Sequence, residues 1–182
     1  MYADEHADSL RAAANDYHIY FTYRDDIQSD LSRTGSSTND EVFICPADNF
    51  DCTMPVIKEW FWPDALAGQG FHHLKQTDYS SYIFNGEAAN SLASGTNENT
   101  RATAKAFSSV RQPSRLVLIC ELSAMMGLSG HDRKQAGQFN NAKNVVGFVD
   151  GHVGFIPIYW NGGAMPNQYN PPPGYEYIWF DK

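Results

Sequence analysis

Four residues in the second half of the chain carry side chains that can hold a metal or move a proton: Glu121, His131, Asp150 and His152. Imidazoles and carboxylates are standard ligands for zinc and its transition-metal neighbours. Loops and strand ends, where these four are expected, are where such groups converge. Gathered in a cleft around a divalent metal, His131, Asp150 and His152 would suit a metal-dependent hydrolase. Each also has a purely structural reading, which the sequence favours. Turn chemistry accounts for Asp150, a half-exposed place at the start of a strand for His152, and hydrogen bonding to backbone within a long loop for His131. The adjacent pair His72-His73 cannot easily turn both rings onto one ion and reads as a surface pair.

Other chemistries are thinly supported. Cys45 and Cys52 share a turn-rich loop, Phe43-Ile-Cys-Pro-Ala-Asp-Asn-Phe-Asp-Cys52. A disulfide there would close a small ring and imply an oxidising compartment, although Cα separation and Cβ direction decide the matter rather than spacing. Cys120, inside Leu116-Val-Leu-Ile-Cys-Glu121, reads as a buried small hydrophobe. No C-x-x-C pairing supports a zinc site built from the cysteines alone. There is no G-x-S-x-G elbow and no P-loop, and nothing marks a Cys–His couple. The carboxylate pairs Asp25-Asp26 and Asp40-Glu41 sit in polar stretches, whereas glycosidase chemistry needs them facing one another across a cleft. Trp60, Trp62, Trp160 and Tyr175 could line the sugar-binding face of an extracytoplasmic carbohydrate-binding module, but such rings more often anchor core and loops.

The elements that would position these residues follow from composition and pattern. For 182 residues, one domain spanning 1–182 is the natural expectation. The chain is 42% hydrophobic, enough for a core, and its Gly, Pro, Asn and aromatic content points to β-structure with long loops rather than a helical bundle. No apolar run approaches the roughly 18–20 residues needed to cross a bilayer. The net charge of −8 is uneven: residues 1–64 hold 13 acids and 4 bases, residues 65–182 hold 8 acids and 9 bases. An acidic first third argues against nucleic acid, which needs a basic face. It suits a solvated acidic face and leaves a cation site open.

Residues 1–15 favour a helix that begins without a cap, as the remnant of a longer helix would. Strands are expected at 17–23, 41–45, 81–84, 115–121 and 175–180, with 115–121 central, and a short helix at 101–110. Residues 24–41, 53–80, 87–100 and 123–143 read as loops or irregular excursions. Between Asn144 and Trp160, two runs rich in β-branched and aromatic residues flank Asp150-Gly151. That pair suits a two-residue type I′ hairpin turn, with φ > 0 at both positions and His152 opening the return strand.

Several of these stretches resemble elements of one family in order along the chain. Met1-Tyr-Ala-Asp-Glu-His6 is similar to the end of the long pilin helix, Phe43-Ile-Cys-Pro-Ala-Asp48 to a "vF-x-CP" element, and Ser81-Tyr-Ile-Phe-Asn-Gly86 to an "SY-x-x-NG" element. Gln112-Pro-Ser-Arg-Leu-Val-Leu-Ile-Cys-Glu121 resembles "PS-x-x-v-l-l-x-D/E", Asn144 to Val153 a hairpin signature, and Pro172-Pro-Gly-Tyr-Glu-Tyr-Ile-Trp179 a "PP-x-GY-x-Y-x-W" ending. Together they resemble the globular head of prepilin-like, type II secretion pseudopilin-like proteins of the H-X9-DG class (general secretion pathway protein G-like). The chain departs from the pattern where the class has its histidine, ten positions before Asp150; Asn140 stands there, and the nearest upstream histidine is His131.

The resemblance implies an α+β pilin-like head, with residues 1–15 as the end of the pilin helix packed on an antiparallel sheet and 16–182 as the β-rich remainder. It implies a subunit anchored in the inner membrane by an apolar helix upstream of Met1, cleaved by a prepilin peptidase, with its head in the periplasm or at the cell surface. Partners would be other pilin-like subunits and secretion or pilus assembly proteins, and the role structural rather than enzymatic. Some pseudopilin heads hold calcium in a C-terminal loop; no EF-hand-like spacing here supports that, and no cofactor is expected.

Overall fold

The computed structural model describes residues 40–50, 70–73, 80–86, 102, 106–132, 137–163 and 165–182. The expectations for residues 1–39, for Cys52 and for Trp60 and Trp62 fall outside them. The described residues form a four-stranded antiparallel sheet in the order β1 (Tyr82–Phe84), β2 (Val117–Glu121), β3 (Ala142–Phe148), β4 (Val153–Ile158), with short 3-10 turns between strands.

Period-two alternation gives the sheet its two faces. On β3, Ala142, Asn144, Val146 and Phe148 are at most 2% exposed, whereas Lys143 is exposed and Val145 half-buried. The buried face packs on Phe71, Leu122, Met125, Tyr177 and Trp179. Asn144, the polar member of that row, has its hydrogen bonds satisfied internally. Its Oδ1 accepts from Ser123 Oγ at 2.7 Å, and its Nδ2 donates to the carbonyls of Leu128 and Ala142 at 2.9 and 3.0 Å. That turns a buried amide into a clamp between β3 and the segment after β2.

Four expected elements differ. Of the short helix expected at 101–110, the described part holds only a 3-10 turn at Phe107–Ser109, with Ala106 and Val110 extended on either side. Residues 40–43 make a 3-10 turn, not a strand, because their neighbour supplies a side chain as well as backbone: Cys45 N–H donates to Ser81 Oγ at 3.0 Å while Ser81 N–H donates to the Phe43 carbonyl at 2.9 Å. The tail at 175–180 reaches the sheet only through a parallel bridge between Leu116 and Ile178. β1 already occupies the edge beside residues 119–121, and the N–H groups of Trp179 and Phe180 donate to Asn170 Oδ1 instead of to a strand. Residues 122–126, which overlap the loop expected at 123–143, form a fully buried 3-10 turn ending at Gly127.

The hairpin lies where the sequence places it, but its turn is different. Gly151 has φ 91°, and Asp150 is not among the residues with positive φ. Gly151 N–H donates to the Phe148 carbonyl at 2.9 Å and Phe148 N–H to the His152 carbonyl at 3.0 Å. These bonds close a three-residue loop, Val149-Asp150-Gly151, in which glycine alone takes the left-handed conformation. Asp150 Oδ1 faces His152 Nδ1 at 2.6 Å, and the His152 ring stacks on Phe148 at 4.2 Å. With nothing within 4 Å of a Cβ at Gly151, Gly151→Ala is expected to destabilise the protein by about 1 kcal/mol through φ alone. A urea titration unchanged by the substitution would contradict this.

Candidate metal centre

The end of β2 carries Glu121 onto the sheet face opposite the core. Val145 N–H on β3 donates to its Oε2 at 2.7 Å. That bond fixes the carboxylate and leaves Oε1 pointing at two donors from distant parts of the chain. Cys45 Sγ lies 3.0 Å from Oε1, His131 Nε2 lies 3.0 Å from the same oxygen, and Cys45 Sγ and His131 Nε2 are 3.2 Å apart. Cys45 and Glu121 are each 3% exposed, while the His131 side chain is 35% exposed and forms the solvent side of the cluster.

Local structure explains the convergence. Pro46 and Ala47 turn the chain after Cys45, and Asp48 anchors that turn by accepting from Phe71 N–H, His72 N–H and Ser81 Oγ at 2.9, 2.9 and 2.6 Å. His131 is carried on residues 129–132. Ser129 Oγ donates to the Lys143 carbonyl, and Asp132 N–H donates to Ser129 Oγ at 2.9 Å. Gly130 lets this segment run against the Ala47 carbonyl.

The arrangement differs from the expected metal set. Glu121 and His131 meet, but Asp150 and His152 are elsewhere. Val117 pairs with Phe148 beside the hairpin turn, so Glu121, four residues along β2, is roughly 13 Å away at ~3.3 Å per residue. Asp150 and His152 pair with each other at the exposed tip, where the hydrogen bond from His152 holds the Asp150 carboxyl below its usual range. Among the described residues, Cys45, Glu121 and His131 are the group of three metal-ligating side chains that converges. The trio of His131, Asp150 and His152 that the alternative hydrolase reading needs is not assembled.

Cys45 and Cys120 are free, buried thiols in this structure; Cys52, the other half of the possible Cys45–Cys52 bridge, lies outside the described residues. Sequence spacing gave no sign of the contacts of Cys45, because Glu121 lies 76 and His131 86 residues away along the chain. His72, expected on the surface, is instead turned onto Asp48, with Nδ1 2.9 Å from Oδ2. Burial first, and then the hydrogen bond to Glu121, push the Cys45 thiol up to about 11. A nucleophilic cysteine needs the opposite, a thiol lowered by a neighbouring cation or base. In addition, thiol and carboxylate both address Nε2 of His131, whereas a catalytic relay would place the orienting carboxylate on the other ring nitrogen.

The aromatic residues form a packing ladder. Tyr159–Tyr175, Tyr175–Tyr177 and Tyr177–Trp179 meet edge to face at 5.4, 6.1 and 5.6 Å, and the Trp160 ring covers Gly127. Tyr175 and Trp160 are therefore engaged in packing, unlike a coplanar platform for a sugar. Compared with family models, curated proteins and solved structures, the chain matches none of them.

Proposed function

We propose that the chain is the head of a pseudopilin-like subunit of a type II secretion or type IV pilus-like filament, with a structural role and no catalytic turnover. The observation that carries this reading is that, among the described residues, the stretches bearing the resemblance are the ones that lock the fold together. Asn85 of the 81–86 stretch donates from Nδ2 to the carbonyls of Val117 and Trp179 at 2.9 Å each. In this way it ties the 112–121 stretch to the 172–179 ending. Ser81 ties the 43–48 stretch to β1, and Glu121 ties β2 to the hairpin through Val145. These residues are spent on architecture, as a filament head requires.

The sheet also leaves an apolar face open, as a subunit that packs against its neighbours would. The face away from the core holds an open groove of about 290 Å³ lined by Val42, Tyr82, Ile119, Val145 and Val153 among others. Val42, Val153 and Phe155 are 60%, 67% and 49% exposed. In this reading that face is a contact surface within the filament, with the head outside the membrane. The test is to express the native reading frame with and without its prepilin peptidase. Membrane-retained precursor that shortens when the peptidase is present is the expected result. Material recovered outside the membrane, with one size in both strains, would sink the proposal.

A further inference from the structure

Beyond the filament reading, and independent of it, we propose that Cys45, Glu121 and His131 bind one divalent transition metal of the zinc class as a structural site, with water in the fourth position.

The geometry is that of a collapsed tetrahedral face. The three donor atoms stand 3.0, 3.0 and 3.2 Å from one another. Zinc bonds of about 2.3 Å to sulfur and about 2.0–2.1 Å to nitrogen and oxygen place tetrahedral neighbours about 3.3–3.6 Å apart. A spreading of about 0.3–0.6 Å per edge, largest between sulfur and carboxylate, therefore admits the ion with no change of fold. Thiolate, imidazole and carboxylate together suit zinc or cobalt and not calcium or magnesium, which take oxygen. The carboxylate is also pre-oriented: the Val145 N–H fixes Oε2 and leaves Oε1 for the metal, the usual task of an outer hydrogen bond at such a centre.

Charge supports the same reading. Glu121 is 3% exposed, and among the described residues its ion-pair partner is the partly exposed His131. Buried carboxylates are ordinarily paired with a full cation or bound to a metal. A dication held by a thiolate and a carboxylate is neutral overall, with the imidazole as the third ligand. The exposed edge of His131 gives the ion a path from solvent and leaves room for water. Because the three ligands come from the turn after residue 43, the end of β2 and the segment before β3, the ion would staple parts of the chain that lie up to 86 residues apart in sequence.

The test uses the intact protein under reducing conditions with Co²⁺ as the probe, followed by Zn²⁺ competition. One Co²⁺ per chain is expected, with a near-ultraviolet thiolate-to-cobalt band that Zn²⁺ abolishes, and a higher thermal midpoint with Zn²⁺. Cys45→Ser should remove the band, and His131→Ala, at a partly exposed position, should weaken binding tenfold or more. Cys120→Ala and Cys52→Ser should keep the band. Absence of stoichiometric Co²⁺ in the wild-type protein, a band that survives Cys45→Ser, or unchanged affinity in His131→Ala would each overturn the assignment.

Discussion

Trp179→Ala is expected to destabilise the protein by about 3–5 kcal/mol, the range for removing a fully buried large aromatic side chain. Trp179 is 1% exposed and packs edge to face on Tyr177 at 5.6 Å. Its backbone is held at both ends: N–H by Asn170 Oδ1 at 2.7 Å and carbonyl by Asn85 Nδ2 at 2.9 Å. Those bonds pin the tail in place, so the cavity cannot close by letting the tail slide inward, and the cost should fall at the upper end. Trp179→Phe should lose much less. The indole Nε1 is buried without a hydrogen-bond partner among the described residues, so its removal relieves a polar group whose burial is costly. Urea unfolding with an unchanged slope would measure both losses. An Ala variant within 1 kcal/mol of the wild type would refute the placement of Trp179 at the centre of the core.

Gly130→Ala should cost less stability but should strike the candidate metal centre selectively. A Cβ there would stand 2.3 Å from the Ala47 carbonyl oxygen and 2.9 Å from its carbon. Both are backbone atoms, so no rotamer change relieves the clash and the two segments must part. Overpacking of this kind costs about 1–3 kcal/mol. The segments that separate carry Cys45 on one side and His131 on the other, whose donors now lie 3.2 Å apart. Co²⁺ binding should therefore weaken more than stability alone predicts. Gly137→Ala is the contrast: its φ is 92° but nothing lies within 4 Å of the new Cβ, so a modest loss of stability with intact Co²⁺ binding is expected. Equal affinity in the two variants would show that the approach of residues 130 and 47 does not position the ligands.

Much of the sheet was legible in the sequence. Residues 81–84, 115–121 and the hairpin after Asn144 are strand segments whose β-branched and aromatic side chains suit a half-buried pleated surface, and all three are strands in one antiparallel sheet. The tail at 175–180 has the same kind of composition yet pairs only at Ile178. Its side chains found the core, but the sheet edge was already taken, and strand propensity says nothing about free edges. At the hairpin, Asp-Gly marked the position of the turn, and glycine took the positive φ as expected. The loop grew to three residues because the Phe148–His152 pair closes it, a matter of register rather than of the dipeptide.

The site divides along the same line. The sequence by itself determined that Glu121 ends a central strand, that Asp150 and His152 sit at a hairpin turn, and that Cys120 is buried, since each depends on the alternation or turn chemistry of a few adjacent residues. Only the tertiary structure decided that Glu121 and His131 meet Cys45 while Asp150 and His152 stay roughly a strand's length away. Proximity between groups 76 and 86 residues apart depends on sheet register and on glycine-mediated contact between loops. Local pattern holds no information about either, because both arise from the packing of the whole chain.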